Sequence, residues 1–337
     1  MRFSTPSWER NANSTAESAR TVANVERGTE MTDARLVTVV IPTRDRGRTV
    51  IRTLQTLLGN VHPAFEVRVI DQSESDSTQV AVTRLIGDPR VYYIRSRTRG
   101  LSAALNVGIA GAVGDLIAIT GDDCEVGTEW LGKLTAPFES DHRIGLVFGS
   151  VRPGPHDPTL GFVPGSVRQR PMLARSLGDA HLVAGTSASM ALRKSVWERL
   201  HGFDEMLGVG APLGAAEDTD LTLRALLRGY FVYETPEAEV VHHGFVRWDQ
   251  GSHLIQRNWY GTGAAFAKAL RQGKGVVLLV LARLAWRWTT GGVSPVAASL
   301  GQHLHRWSKL VAFARGMAAG AVTPIDQVSG HYRPRPK

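Results

Sequence analysis

From Leu36 onward the chain alternates short apolar runs with stretches of helical apolar spacing. VTVVIP (37–42) reads as a buried strand closed by Pro42, and Val50, Leu54, Leu57 and Leu58 then recur at helical intervals. The unit repeats: EVRVID (66–71) predicts a second strand, residues 80–86 a helix, VYYI (91–94) a third strand, LSAALNVGIAGA a small-residue helix and LIAIT (116–120) a fourth strand. Such alternation predicts an α/β fold with a mostly parallel, Rossmann-like sheet, flanking helices and right-handed crossovers. Ligands of these sheets gather at the carboxyl ends of the strands, near the point where strand order reverses. Here those ends carry Thr43, Arg44 and Asp45, then Asp71 to Ser73, then Asp122 and Asp123. One aspartate is an ordinary turn former; carboxylates at successive strand ends favour a shared site.

The second half is less regular. IGLVFGSV (144–151) predicts another strand, followed by a Pro/Gly-rich surface loop to about Pro171, and LVAGTSASMALRKSVWERL a strand passing into a helix near Lys194. GFDEMLGVGAPLGA, glycines around a proline, reads as a flexible segment able to close over a ligand. In AAEDTDLTLRALLRGY, Glu217, Asp218 and Asp220 precede a leucine-spaced helix that Gly229 stops; acids in a first turn favour the helix dipole, which is their bland reading. Residues 254–272 predict a helix with a small face at Gly261, Gly263 and Ala264. VVLLVLARLAW (276–286), interrupted by Arg283, falls short of the ~20 apolar residues that cross a membrane and reads as a buried or interfacial helix. The expected organisation is a flexible leader (1–34), a catalytic domain (35–245), a helical basic region (246–322) and a flexible tail (323–337).

Composition narrows this picture. With 43% hydrophobic residues in 337, the chain can bury a core without disulfides. The lone Cys124, with no apolar leader segment, predicts a reducing, cytoplasmic setting; by itself such a cysteine reads as a small packing residue. Residues 244–337 hold 13 Lys and Arg against Asp249 and Asp326, a net of +11, while the remainder is −3. The same region carries Trp248, Trp259, Trp286, Trp288 and Trp307, a mixture that suits the anionic inner face of a membrane. Nucleic acid is a weaker partner, since no helix-turn-helix, zinc-finger or RNA-binding signature accompanies the charge.

In order, VTVVIPTRDR, VRVIDQSESD, RGLSAALNVGI, GDLIAITGDDCEV, GTSASMALRKSVWERLHGFDE, AEDTDLTLRALLRGY and PEAEVVHH resemble family 2 glycosyltransferases of the GT-A fold. The resemblance covers about Leu36 to Phe245. It implies an inverting transfer of a sugar from a nucleotide-diphosphate donor to an acceptor hydroxyl of a glycan, glycolipid or small molecule, with Mn²⁺ or Mg²⁺ and with a carboxylate as general base. Oxygen ligands suit those cations, and phosphate and water complete their shell. By resemblance Asp123 ligates the metal, Asp122 faces the ribose or donor sugar, and Asp218 of the Glu217-Asp218 pair is the base. His242, with His243 as fallback, is a second metal ligand. Asp71 reads the base, Pro42, Thr43 and Arg44 line that pocket, Arg99 meets phosphate, and Asn106 either joins the donor site or ties its helix to the strand ends. The family's Asp-x-Asp motif here begins at Gly121, a departure that keeps alive a nucleotide-sugar-binding protein that does not catalyse. A sugar nucleotidyltransferase is the third reading, poorly matched by IPTRDRGR.

Overall fold

Every residue of VTVVIPT except Pro42 is buried, as a strand covered on both faces requires, and the run forms β1 (Val37–Thr43). The protein is described by a computed structural model over residues 35–83, 87–272, 275–289 and 306–334. The expected leader lies outside the described residues. The remaining strands are β2 (Phe65–Asp71), β3 (Val91–Arg95), β4 (Leu116–Thr120), β5 (Cys124–Val126), β6 (Ile144–Pro153), β7 (Gly161–Phe162), β8 (Met172–Ala174), β9 (Ser189–Arg193), β10 (Phe231–His242) and β11 (Val246–Arg247).

The main sheet runs β3-β2-β1-β4-β9-β6-β10-β5, with β8 also on β10, and β7 and β11 pair separately. β1 is parallel to both β2 and β4, so strand order reverses at β1/β4 and opens the crevice expected there. β9 enters antiparallel between β4 and β6, making the sheet mixed: a parallel half through β3, β2, β1 and β4, and a second half built around β6 and β10. β10 is longer than PEAEVVHH suggested. It starts at Phe231 and slips register between Glu234 and Glu239, where Pro236 cannot donate to the ladder.

Helices cover both faces. α1 (Gly47–Leu58) buries Val50, Thr53, Leu54 and Leu57, one stripe at helical spacing. α2 (Ser77–Thr83) follows β2, and the end of its expected helix, 84–86, lies outside the described residues. α3 (Leu101–Ala110) lies so close to β1 that a Cβ on Gly108 would overlap the Val40 side chain, which explains its small residues. After α4 (Trp130–Thr135), α5 (Pro137–Ser140) and α6 (Lys194–Arg199) comes α7 (Glu217–Leu227), which ends at Gly229 in the left-handed region with φ 83°.

The C-terminal region is helical: α8 (Trp248–Arg271), α9 (Val276–Thr289) and α10 (Arg306–Val322). The small face of α8 is an intramolecular contact, because a Cβ at Gly261 would strike the Ala215 backbone and one at Gly263 that of Phe313. α9 buries Val277 and Val280 and anchors Arg283 Nη1 on the Gly178 carbonyl at 2.7 Å, while Leu278 and Leu279 remain exposed. The side chains of Trp286 and Trp288 lie outside the described residues. Among the described residues no helix is long and apolar enough to cross a membrane.

A buried charge cluster ties this region to α7. Lys268 Nζ lies 2.5 Å from Asp204 and 2.7 Å from Asp220, and Arg224 Nε reaches Asp220 at 2.8 Å. Tyr332 completes it, donating its N–H to Asp204 at 2.8 Å and its hydroxyl to the Ala264 carbonyl at 2.7 Å. The expectation of a flexible tail from 323 is therefore corrected as far as Tyr332, which is 4% exposed: its hydrogen bonds fix the segment. Residues 335–337 lie outside the described residues.

Candidate active site

Because β1 and β4 are neighbours in parallel register, Thr43 and Asp122 emerge side by side, and Thr43 Oγ1 donates to Asp122 Oδ2 at 2.7 Å. Asp45 then turns the chain through a left-handed conformation (φ 55°), and Arg46 points back at the acidic pair. Its Nη1 lies 3.1 Å from Asp122 Oδ1 and 2.8 Å from Asp123 Oδ2. Sequence reasoning missed Arg46. The polar TRDR run was the available signal, but it does not reveal which arginine turns inward; Arg44 instead faces Asp45 and Glu74 at 3.6 Å.

Asp123 has a second neighbour on the opposite side. β5 pairs with β10 so that Cys124 lies across from His242, and His242 Nε2 comes within 3.4 Å of Asp123 Oδ1. The other ring nitrogen, Nδ1, is 2.8 Å from the Pro164 carbonyl, which keeps a proton on Nδ1 and aims Nε2 at Asp123. His243 goes elsewhere, to Glu125 Oε1 at 3.0 Å, as adjacent strand residues do. An oxygen and an imidazole nitrogen 3.4 Å apart fit neighbouring positions around one cation with bonds of roughly 2.1 Å. The donor set thus suits a cation that takes its other ligands from phosphate and water, although among the described residues no three His, Cys, Asp or Glu converge as a metal cluster.

The surroundings are tight. A Cβ on Gly244 would sit 2.5 Å from His242 Nε2 and 2.9 Å from Asp123 Oδ2, and one on Gly121 3.0 Å from Asp123 Oδ1. Gly121, where an Asp-x-Asp motif would begin, therefore has little room for a side chain unless Asp123 moves. Burial pulls the pKa of Asp123 upward, but the hydrogen bond and charge of His242 and the charge of Arg46 outweigh it and hold it below the ordinary value. At Asp122 burial wins over Arg46 and Thr43, and its pKa is raised. His242 is pulled down by burial, yet Asp123 raises it overall, so without a cation the pair retains a proton strongly. Cys124 is buried and its thiol is pushed up to about 12, chiefly by burial, which agrees with a packing role.

Glu217 and Asp218 open α7 directly after Ala216, a non-glycine residue held at φ 76°. Ser187 faces them: its hydroxyl donates to Glu217 Oε1 at 2.9 Å and its N–H approaches Asp218 Oδ2 at 3.4 Å. Asp218 Oδ1 accepts from the Thr219 N–H at 2.6 Å. Since β9 runs antiparallel to β4, with Ser189 opposite Thr120, the Ser187 loop brings Asp218 to the same end of β4 that carries Asp122 and Asp123. Burial raises the pKa of Asp218, and burial together with the Asp218 charge pushes Glu217 up to about 8. Asp220 and Arg224 are structural, joined as described above. The glycine-rich segment before α7 is a built loop rather than a loose strap: Ser102 Oγ donates to Leu207 O at 2.6 Å, the Leu101 N–H to Val209 O at 2.9 Å, and Leu207 and Leu213 are buried.

Toward β2 and β3 a cavity of about 680 Å³ is lined by Arg44, Gln72, Ser73, Glu74, Arg95 and residues 96–99. Arg99 lines it, 3.3 Å from Glu74 Oε1. Asp71 does not present itself to this cavity: it is fully buried, accepting from Ser73 N at 2.8 Å, from the Ser73 hydroxyl, and from Tyr93 OH at 2.6 Å. Pro42 lies at the same strand end, opposite Ile70. Asn106, one of the residues expected at the donor, is committed within the protein. It donates to Phe203 O at 2.9 Å and Glu205 Oε1 at 3.0 Å, and accepts from Phe203 N at 2.8 Å and Trp197 Nε1 at 3.2 Å, which fills its hydrogen-bonding capacity. It ties α3 to the loop after α6.

Residues 38–200 match the family model described as Glycosyl transferase family 2. An uncharacterized protein of Sinorhizobium fredii is 28% identical over 230 residues, 62% of this chain but 24% of that relative. A pre-mycofactocin glycosyltransferase of Mycobacterium tuberculosis is 25% identical over 327 residues, covering 88% of this chain and 65% of its own length. The chain thus spans about a quarter of the first relative and just under two thirds of the second. A mannosyltransferase from Pyrobaculum calidifontis, solved with GDP-Man and Mn²⁺, superposes with a TM-score of 0.59 at 20% identity, covering 91% of this chain and 93% of that one. At that identity the likeness is one of fold.

Proposed function

Residues 38–200 are a family 2 glycosyl transferase domain on a GT-A fold, and from that premise we propose that the protein is an inverting, metal-dependent glycosyltransferase. It takes its sugar from a nucleotide-diphosphate donor and passes it to an acceptor hydroxyl, on a glycan or glycolipid of the cell envelope. The observation that carries this reading is the meeting at one end of β4 of Asp123, with His242 Nε2 3.4 Å away, and of Asp218, approached by Ser187 from the loop before β9. The nucleotide occupies the arginine-lined cavity at β2 and β3, where Arg44 and Arg99 are within reach of phosphate and Asp71, itself held by Tyr93, fixes Ser73 as part of its wall.

Asp123 and His242 would hold a divalent cation, whose contribution when bound is to neutralise charge growing on the departing diphosphate. Asp218 takes the proton of the acceptor hydroxyl as that oxygen bonds to the anomeric carbon and the bond from that carbon to the diphosphate breaks, inverting the centre. Burial, by raising its pKa, makes Asp218 a stronger base than a solvated aspartate. Asp218→Asn should abolish transfer, by ~100-fold or more, while calorimetry shows nucleotide binding unchanged. Undiminished turnover would remove Asp218 from the reaction. Loss of nothing but background activity, with nucleotide still bound by both forms, would favour a binding protein, the alternative that Gly121 suggests.

The basic C-terminal region is proposed to rest on an anionic membrane surface, which would bring the site to a lipid-carried acceptor. Leu278, Leu279 and Trp307 are the exposed apolar groups that support this. Flotation with anionic liposomes at low salt is the test, and a protein that stays at the bottom of the gradient contradicts it.

A further inference from the structure

We propose that Phe245, with His156 beside it, is a stacking platform for a sugar ring of the acceptor; this rests on the glycosyltransferase reading and names a subsite within it. The chain leaves the candidate metal ligand through Gly244, whose position is so close to the reaction centre that a Cβ there would lie 2.5 Å from His242 Nε2. Phe245 is the next residue, and 43% of it is exposed. A large apolar ring left open one residue beyond such a crowded point is at the rim of the site.

The ring is held in place. It lies over Gly161, where a Cβ would come within 2.7 Å of Phe245 Cζ, so a side chain at 161 would push it away. His156 flanks it with ring centroids 6.3 Å apart at 48°, and His156 is itself fixed by Nδ1 against the Gly154 carbonyl at 2.8 Å. Behind it the β7–β11 ladder is pinned by buried Phe162 against Trp248 at 5.2 Å, and Trp248 Nε1 donates to Pro158 O at 3.0 Å. A rigid aromatic face loses little freedom on binding.

Position along the sheet selects the occupant. The arginine-lined cavity lies at β2 and β3, on one side of β4, whereas Phe245 follows β10, on the other side, with Asp122 and Asp123 between. A donor extended from that cavity to Asp123 leaves Phe245 on the acceptor side. A pyranose has one face of C–H bonds, apolar and weakly positive, which suits the negative face of an aromatic ring.

The test is saturation-transfer difference NMR on the full chain with diamagnetic Mg²⁺ and UDP or GDP, using methyl β-glycosides of glucose, galactose, mannose and N-acetylglucosamine as probes. The expected result is saturation of the protons on one ring face of at least one glycoside. It should fall about tenfold in Phe245→Leu, which keeps apolar bulk over Gly161, and persist in Phe245→Trp, while nucleotide signals stay the same in all three. No saturated glycoside in the wild type, or an undiminished signal in Phe245→Leu, overturns the subsite. Nucleotide signals with no glycoside signal leave the glycosyltransferase reading standing without it; absent nucleotide signals bring down both.

Discussion

Arg46 places a fixed positive charge where an incoming cation would be attracted, bridging Asp122 and Asp123. Its guanidinium competes with the cation for Asp123. Arg46→Gln should therefore bind Mn²⁺ more tightly in the absence of nucleotide, by ~3–10-fold, seen as a lower free-Mn²⁺ signal in electron paramagnetic resonance; unchanged or weaker binding would show that Arg46 does not compete. Glu217 gives a second outcome. Its folded pKa of about 8 stands above the ordinary carboxylate value, so the fold favours its neutral form. That contribution is complete below the ordinary value of 4.5 and is lost as pH rises through about 8. Glu217→Gln, neutral at every pH, should keep its melting temperature between pH 5 and pH 9 better than the wild type; parallel curves would refute the assignment. Legibility at this scale follows geometry. The neighbourhood of Asp122 and Asp123 was readable because strand ends dictate it, while His242 was preferred over His243 by the family resemblance and its spacing from Pro236, alternation saying only that the two rings point apart. Arg46 and Asn106 were not, since a turn through φ 55° and a loop after α6 decide where those side chains go.

At the scale of elements, close approach explains what propensity does not. Glycine inside a helix is ordinarily a weakness, yet Gly108 lets α3 press against Val40. Gly108→Ala should lose about 1–3 kcal/mol, read as a lower urea midpoint with unchanged slope; a neutral result would mean that the helix can lift away without penalty. The strands of the parallel half were legible almost to the residue: burial on both faces leaves near-continuous apolar runs in β1 and β4, and β2 and β3 keep short runs rich in Val, Ile and Tyr. β10 was only half legible. Thr235, Pro236 and the register slip break its pattern, and its first part is recognisable only beside β6 and β8. The glycine-rich segment misled in the opposite direction: its glycines serve backbone conformations with positive φ, at Gly202, Gly208, Gly210 and Gly214, not looseness.

Across the whole molecule, Lys268 of α8 holds α7, the helix whose first turn carries Glu217 and Asp218. Removing it leaves Asp204 and Asp220 buried with less compensation. Lys268→Met should destabilise the fold by about 3–5 kcal/mol, measured by chemical denaturation, and should lower kcat at temperatures where the protein is still folded. Full stability in this variant would show that the cluster contributes nothing net. The sequence contained no sign of this link, since Asp204, Asp220 and Lys268 belong to segments whose local patterns are self-sufficient, and only packing of α8 on α7 joins them.

That link also has a direction in time. Asp204 is synthesised 64 residues before the ammonium group that neutralises it. A nascent chain can therefore have its whole parallel half and its Glu217-Asp218 turn outside the ribosome while Asp204 still lacks Lys268 and Asp220 has only Arg224. The last helices to be made set when the first half is locked in place, and a product truncated before Lys268 would be a sheet whose Glu217-Asp218 helix is held by fewer charges.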